Sequence, residues 1–102
     1  MKYSARFPNQ SIQKKFEKAL LEIPQKNIQD SIMEMIEGLE ENPRPFGQKI
    51  FKTLKPSIRL WQWSAQYRLR AGDDRILYDV DDERKIVWIL ALRKRNEQIY
   101  KS

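Results

Sequence analysis

At 102 residues, 40% of them hydrophobic and eleven of them aromatic, the sequence has material for one core and too little length for a second. It contains neither cysteine nor histidine, which excludes disulfides and zinc–thiolate sites, leaves carboxylates alone for any metal, and removes the side chain best suited to acid–base chemistry at neutral pH. The net charge of +6 is unevenly placed: residues 42–72 hold seven basic side chains (Arg44, Lys49, Lys52, Lys55, Arg59, Arg68 and Arg70) and no acidic one, so the rest of the chain carries −1.

The N-terminus lacks the apolar run of a signal peptide, and no segment reaches the roughly eighteen uncharged apolar residues of a membrane span, so a cytoplasmic protein is expected. Residues 2–7 alternate and stop at Pro8, as a short strand does. A helix follows, opened by Asn9 or Ser11 and closed before Pro24, with Ile12, Phe16, Ala19, Leu20 and Ile23 as its apolar stripe. A second helix over about residues 26–41 repeats that spacing with Ile28, Ile32, Met35, Ile36 and Leu39. The short link between them predicts an antiparallel helical hairpin, and both stripes read as core.

Asn42-Pro-Arg-Pro45 ends the helical half. Residues 46–56 read as a basic connector with one helical turn or a short extended piece. Residues 58–70 alternate with one slip. Ile58 and Leu60 share one parity, and Trp61, Trp63, Ala65, Tyr67 and Leu69 the other, so a bulge or break is expected near Leu60 and Trp61. Residues 71–74 turn the chain, Gly72 being free to take a positive φ, and residues 75–80 pair back. A charged turn over 81–85 leads into Ile86-Val-Trp-Ile-Leu-Ala-Leu92, an apolar run suited to a strand buried on both faces at the centre of a sheet. A basic tail follows. The expected fold is α+β, one domain over 1–102, with an antiparallel β-sheet, the N-terminal two-helix hairpin packed on one face, and the order β-α-α-β-β-β.

The densest information lies in Tyr67-Arg-Leu-Arg-Ala-Gly-Asp-Asp-Arg-Ile-Leu-Tyr78. As a hairpin it puts Tyr67, Leu69, Ile76, Tyr78 and Val80 under the helices, and Arg68, Arg70 and Arg75 on the opposite, uncovered face. Arg93, Lys94 and Arg95 follow the last strand, where they could rim that surface, and Tyr100 lies just beyond. Guanidinium groups gathered this way bind phosphate oxygens and can stabilise a pentacoordinate phosphorane. A tyrosine moves protons only if cations lower its pKa from about 10. The alternatives are arginines paired with Asp73, Asp74 or Asp79, arginines that simply keep an open sheet face soluble, or a dock for an acidic protein. Trp61 and Trp63 read as packing under the longer strand, with base stacking as the other option.

The Tyr67–Tyr78 pattern resembles the hairpin signature of the RelE/ParE toxin superfamily. So do Glu41-Asn-Pro-Arg-Pro45 at the end of the second helix, and Val87-Trp-Ile-Leu-Ala-Leu92 followed by basic residues and Ile99-Tyr100. The resemblance covers nearly the whole chain in one element order. It implies the toxin of a type II toxin–antitoxin pair: a metal-independent, cofactor-free, ribosome-dependent mRNA endonuclease (mRNA interferase) if RelE-like, or a DNA gyrase inhibitor if ParE-like. A non-catalytic, antitoxin-binding member is the third reading. By position, Arg68 and Arg70 match the family's basic strand pair, and Arg75 the arginine that stabilises the transition state. Lys94 or Arg95 matches the basic residue after the last strand, and Tyr100 the C-terminal tyrosine. Lys52, Lys55 and Arg93 join Arg68 and Arg70 as expected RNA contacts. The chain departs from many relatives in Leu92-Arg-Lys-Arg95, where a Gly-His-Arg-like segment is usual. In the chemistry so implied, the ribose 2′-oxygen attacks the adjacent phosphate, deprotonated with help from Tyr100 or a neighbouring lysine. Expected partners are the ribosome with its mRNA, or gyrase, and an adjacently encoded, acidic antitoxin lying over the helical hairpin or the basic face.

Overall fold

A computed structural model describes residues 2–94. Its elements are β1 (Ser4–Arg6), α1 (Gln10–Leu21), α2 (Lys26–Glu41), β2 (Phe51–Leu60), β3 (Trp63–Ala71), β4 (Asp74–Asp81) and β5 (Ile86–Lys94). They form one five-stranded sheet in the order β1-β5-β4-β3-β2, antiparallel except for the parallel β1/β5 pair. The expected α+β architecture stands, with one strand added. No described helix is long and apolar enough to cross a membrane.

Asn9 caps α1, its Oδ1 accepting from the Ile12 amide at 2.9 Å. The two helical stripes bury Phe16, Ile23, Ile32, Ile36 and Leu39 against Leu69, Ala71, Ile76, Tyr78, Val87, Ile89 and Leu92 of the sheet. Gly72 takes φ +61 in the two-residue turn joining Ala71 to its partner Asp74, a conformation that costs a residue without a Cβ little. β5 lies between β1 and β4, inside the sheet as its unbroken apolar run requires, although β4 is the middle strand.

The extra strand corrects the reading of residues 46–70. The slip at Leu60 is a chain reversal: β2 ends there, Trp61 takes φ +57, and Leu60 pairs with Trp63. β2 occupies most of the stretch read as a connector. It is an edge strand, so it carries charges and a proline, which lacks the N–H an inner strand must donate. Around Pro56 its register breaks. Thr53 faces Tyr67 and Ile58 faces Ala65, leaving the four residues 54–57 opposite Gln66. Ala65 and Tyr67 therefore belong to different cores although they share parity.

The second core corrects the picture of an uncovered face. Leu54, Ala65, Leu77 and Leu90 are buried there, with Ile58, Leu60, Trp63, Trp88 and Ala91 against them. A bulge in β5 opposite Leu77 and Tyr78 turns both Leu90 and Ala91 to this side. The β2–β3 hairpin curls over it far enough for its tip to touch α1, with Lys15 Nζ 3.7 Å from the Trp61 ring centroid. Trp61 is thus exposed and is not packed under the strand, whereas Trp63 does pack, at 5.6 Å from Trp88.

Arg44, one of the seven basic residues of the acid-free stretch 42–72, is engaged within the fold. Its Nη1 and Nη2 donate to the two oxygens of Asp82 at 3.0 and 2.8 Å, and its Nε donates to the Tyr67 hydroxyl at 2.8 Å. The two bonds from Arg44 to Asp82, and a 2.6 Å one from the Tyr3 hydroxyl, lower the Asp82 carboxyl from 3.8 to about 2. A lowered carboxyl stabilises the fold above its unfolded pKa and loses that contribution as pH falls through the folded value. Asp82→Asn should therefore flatten the loss of stability between about pH 4 and pH 2, read from denaturant midpoints. An unchanged acid limb would show that the contacts do not persist in solution.

Candidate functional site

Strand register assembles the second face. Arg70 pairs with Arg75, and Arg75 pairs with Arg93, so three arginines stand in one row across β3, β4 and β5. With strands about 4.8 Å apart, the row is about 10 Å wide at the backbone. One step along, Lys52 pairs with Arg68 and Arg68 with Leu77, so both cations border the apolar floor of the second core. The amide of Arg70 donates to the Ile50 carbonyl at 2.9 Å, which ties the start of β2 to this row.

Arg75 is the unusual member. It is only 9% exposed, and its Nε and Nη1 are buried without a hydrogen-bond acceptor. Like charges facing each other across a sheet destabilise it, and buried donors without acceptors add about 1–3 kcal/mol. Among the described residues no acid pairs with Arg70 or Arg75. Asp74 lies on the helix side with Ile76, and Asp73 and Asp74 border a hollow with Gln25, Asn27 and Ile28. Asp79 does share the arginines' face, opposite Trp88, but four residues along from Arg75. Its Oδ1 accepts from the Val80 amide at 2.9 Å, and burial pushes its pKa up. Arg70 and Arg75 therefore place positive charge on this face that a bound anion would compensate.

The other expected site residues divide clearly. Arg93 joins the row and Lys94 does not: it pairs with Asp74, one parity over, on the helix side. Lys55 is exposed in the irregular part of β2, outside the row's register. Arg95 and Tyr100 lie outside the described residues. Sequence reasoning missed a cavity of about 360 Å³ lined by Ile12, Lys15, Arg59, Leu60, Trp61, Leu90, Ala91 and Arg93. Arg93 connects it to the arginine row. No local pattern marks it, because Lys15 and Trp61 are forty-six positions apart and meet only through the curl of the hairpin.

Comparison with known proteins bears on this arrangement. The family model described as the ParE toxin of type II toxin–antitoxin system, parDE, matches residues 10–99. Among solved structures, the chain is similar to one from the archaeal RelE–RelB complex of Pyrococcus horikoshii, at 28% identity and TM-score 0.69, over 95% of this chain and 99% of that one. It is also similar to one from the toxin–antitoxin complex RelBE2 of Mycobacterium tuberculosis, at 25% identity and TM-score 0.61, over 93% and 100%. A double mutant of E. coli toxin RelE in the free state shares the fold at 18% identity and TM-score 0.53, over 98% and 92%. No curated protein sequence matches.

Proposed function

This chain belongs to the ParE toxin family, within the RelE/ParE superfamily of type II toxin–antitoxin toxins, and from that premise we propose that it is a ribosome-dependent mRNA endonuclease. The observation that carries the proposal is the Arg70–Arg75–Arg93 row, with its middle guanidinium buried and short of acceptors. A toxin that only occupies a partner's surface has no need of a desolvated cation. A developing phosphorane dianion does, because charge stabilisation is strongest where water is excluded and the donors are already in place.

In the proposed reaction the ribose 2′-oxygen attacks the adjacent phosphorus and the P–O5′ bond breaks. The products are a 2′,3′-cyclic phosphate, open to later hydrolysis, and a 5′-hydroxyl that takes up a proton. Arg75 stabilises the phosphorane, while Arg70 and Arg93 hold the non-bridging oxygens and the leaving side. Arg68 and Lys52 bind the neighbouring backbone, and Lys55 a more distant phosphate. Deprotonation of the nucleophile is assigned to Tyr100 or a neighbouring lysine, with Lys94 and Arg95 as further cations of the same proposal. An arginine hardly gives up a proton, so the row supplies charge and no base. The similarity to chains of toxin–antitoxin complexes supports an antitoxin as the holding partner.

The test is chemical. An mRNA carrying one 2′-deoxyribose at the mapped cut site should resist cleavage there, and the unmodified message should yield 5′-hydroxyl ends. Cleavage of the deoxy-substituted linkage would overturn the mechanism. The second reading is gyrase inhibition, favoured specifically by the match to the ParE toxin model. It predicts that the arginine row is dispensable for toxicity.

A further inference from the structure

We propose that the cavity under the β2–β3 turn is a base-and-phosphate subsite, in which one nucleobase of single-stranded RNA stacks on Trp61 while Lys15, Arg59 and Arg93 hold its phosphate. This rests on the RNA reading above and gives it a second contact point. Among the described residues, Lys15, Arg59 and Arg93 line the cavity and no acidic side chain does, so an anion is the ligand its electrostatics select. The space, about 360 Å³, is of the size that holds a small organic ligand. Its apolar wall of Ile12, Leu60, Leu90 and Ala91 suits the flat face of a base better than a bare ion.

Trp61 is the anchor. It is 66% exposed at the tip of a turn, and φ +57 is a costly backbone conformation for a bulky residue. Arg59 helps to hold that turn, its Nε donating to the Trp61 carbonyl at 2.8 Å, while its remaining guanidinium donors are free to meet a phosphate. Lys15 covers the indole as an ammonium 3.7 Å from the ring centroid. Such a contact on an exposed ring is weaker than base–aromatic stacking, so a base can replace the ammonium. The displaced Lys15 then finds a phosphate oxygen within the same cavity. Arg93 belongs both to the cavity and to the arginine row, so a strand lying along the row runs into the subsite without leaving positive surface. The subsite would favour bases that stack well.

The test is equilibrium anisotropy of a labelled hexanucleotide RNA, 2′-O-methylated throughout to prevent cleavage, titrated with the full chain. Trp61→Ala should weaken binding between roughly five- and a hundredfold, and Trp61→Phe should recover most of it. Lys15→Gln should reduce the slope of log affinity against log salt by about 0.7. Unchanged thermal midpoints establish that each variant is folded. Equal affinities for Trp61→Ala and the wild type overturn the subsite, and so does a wild-type chain that binds no hexanucleotide. A twelve-residue peptide of alternating Glu and Leu serves as the protein-like competitor. Loss of peptide binding in Trp61→Ala with RNA binding intact assigns the cavity to a protein partner and overturns the subsite. A wild-type chain that cuts no mRNA but shows the predicted ratio sinks the endonuclease reading alone. A chain that cuts mRNA with Trp61→Ala binding and cutting as well as wild type sinks the subsite alone.

Discussion

Arg75→Met should lower mRNA cleavage by about two to three orders of magnitude and at the same time raise the thermal midpoint. The two effects have one cause. Arg75 sits nine-tenths buried between Arg70 and Arg93, and its Nε and Nη1 lack acceptors. In the free protein that guanidinium is a liability, since desolvated donors go unmet and like charges flank it. Methionine keeps much of the stem and its packing while deleting charge and donors, which should return about 1–3 kcal/mol. At about 4–8 °C per kcal/mol for a domain of this size, the shift is readily measured by calorimetry. Activity should fall because, in the proposed reaction, these donors meet charge that exists only in the transition state. A variant that loses both activity and stability would show that Arg75 is a structural residue, and the reading of the row would fail with it.

Tyr78→Ala should cost about 3–5 kcal/mol, a large part of the 5–15 kcal/mol typical of a small domain. Tyr78 is fully buried, its ring 5.6 Å from that of Tyr67, and its hydroxyl donates to the Pro43 carbonyl at 2.8 Å. It therefore joins β4 to the chain leaving α2. Tyr78→Phe keeps the ring and leaves that carbonyl unmet, a loss of about 1 kcal/mol. Burial, and secondarily the neighbouring Tyr67, raises the Tyr78 hydroxyl well above the ordinary tyrosine value of 10.0. The neutral form is thus favoured by folding, so its contribution is complete below pH 10 and declines as pH rises further. Denaturant midpoints should fall in that alkaline range for the wild type and fall less for Tyr78→Phe.

Much of this was legible in the sequence because periodicity reports burial directly. The second helix spans residues 26–41 as its stripe required, and Gly72 turns the chain between Ala71 and Asp74. The alternation from Tyr67 to Val80 sorted the arginines onto one face. What was not legible depends on partners distant in sequence. β2 is charged and interrupted by Pro56 because it is an edge, and those features also describe a loop. Trp61 meets Lys15 only once the hairpin curls over Leu77 and Leu90, so an indole expected inside is found outside. Arg44 adds to the basic block of residues 42–72 in the sequence, but its partner Asp82 lies thirty-eight residues away. Neither Lys94 nor Arg93 could be chosen from spacing, because one residue of register decides which face each occupies.

The arginine row is read as a catalytic surface for RNA on the ribosome, and one paired measurement bears on that most directly. Purified chain is added to a translation extract, with cleavage mapped by primer extension, and in parallel to a gyrase supercoiling reaction. The expected result is blocked translation with cuts at the codon in the ribosomal A site, lost in Arg75→Met, and unaffected supercoiling. Uncut messages together with inhibited supercoiling would contradict it.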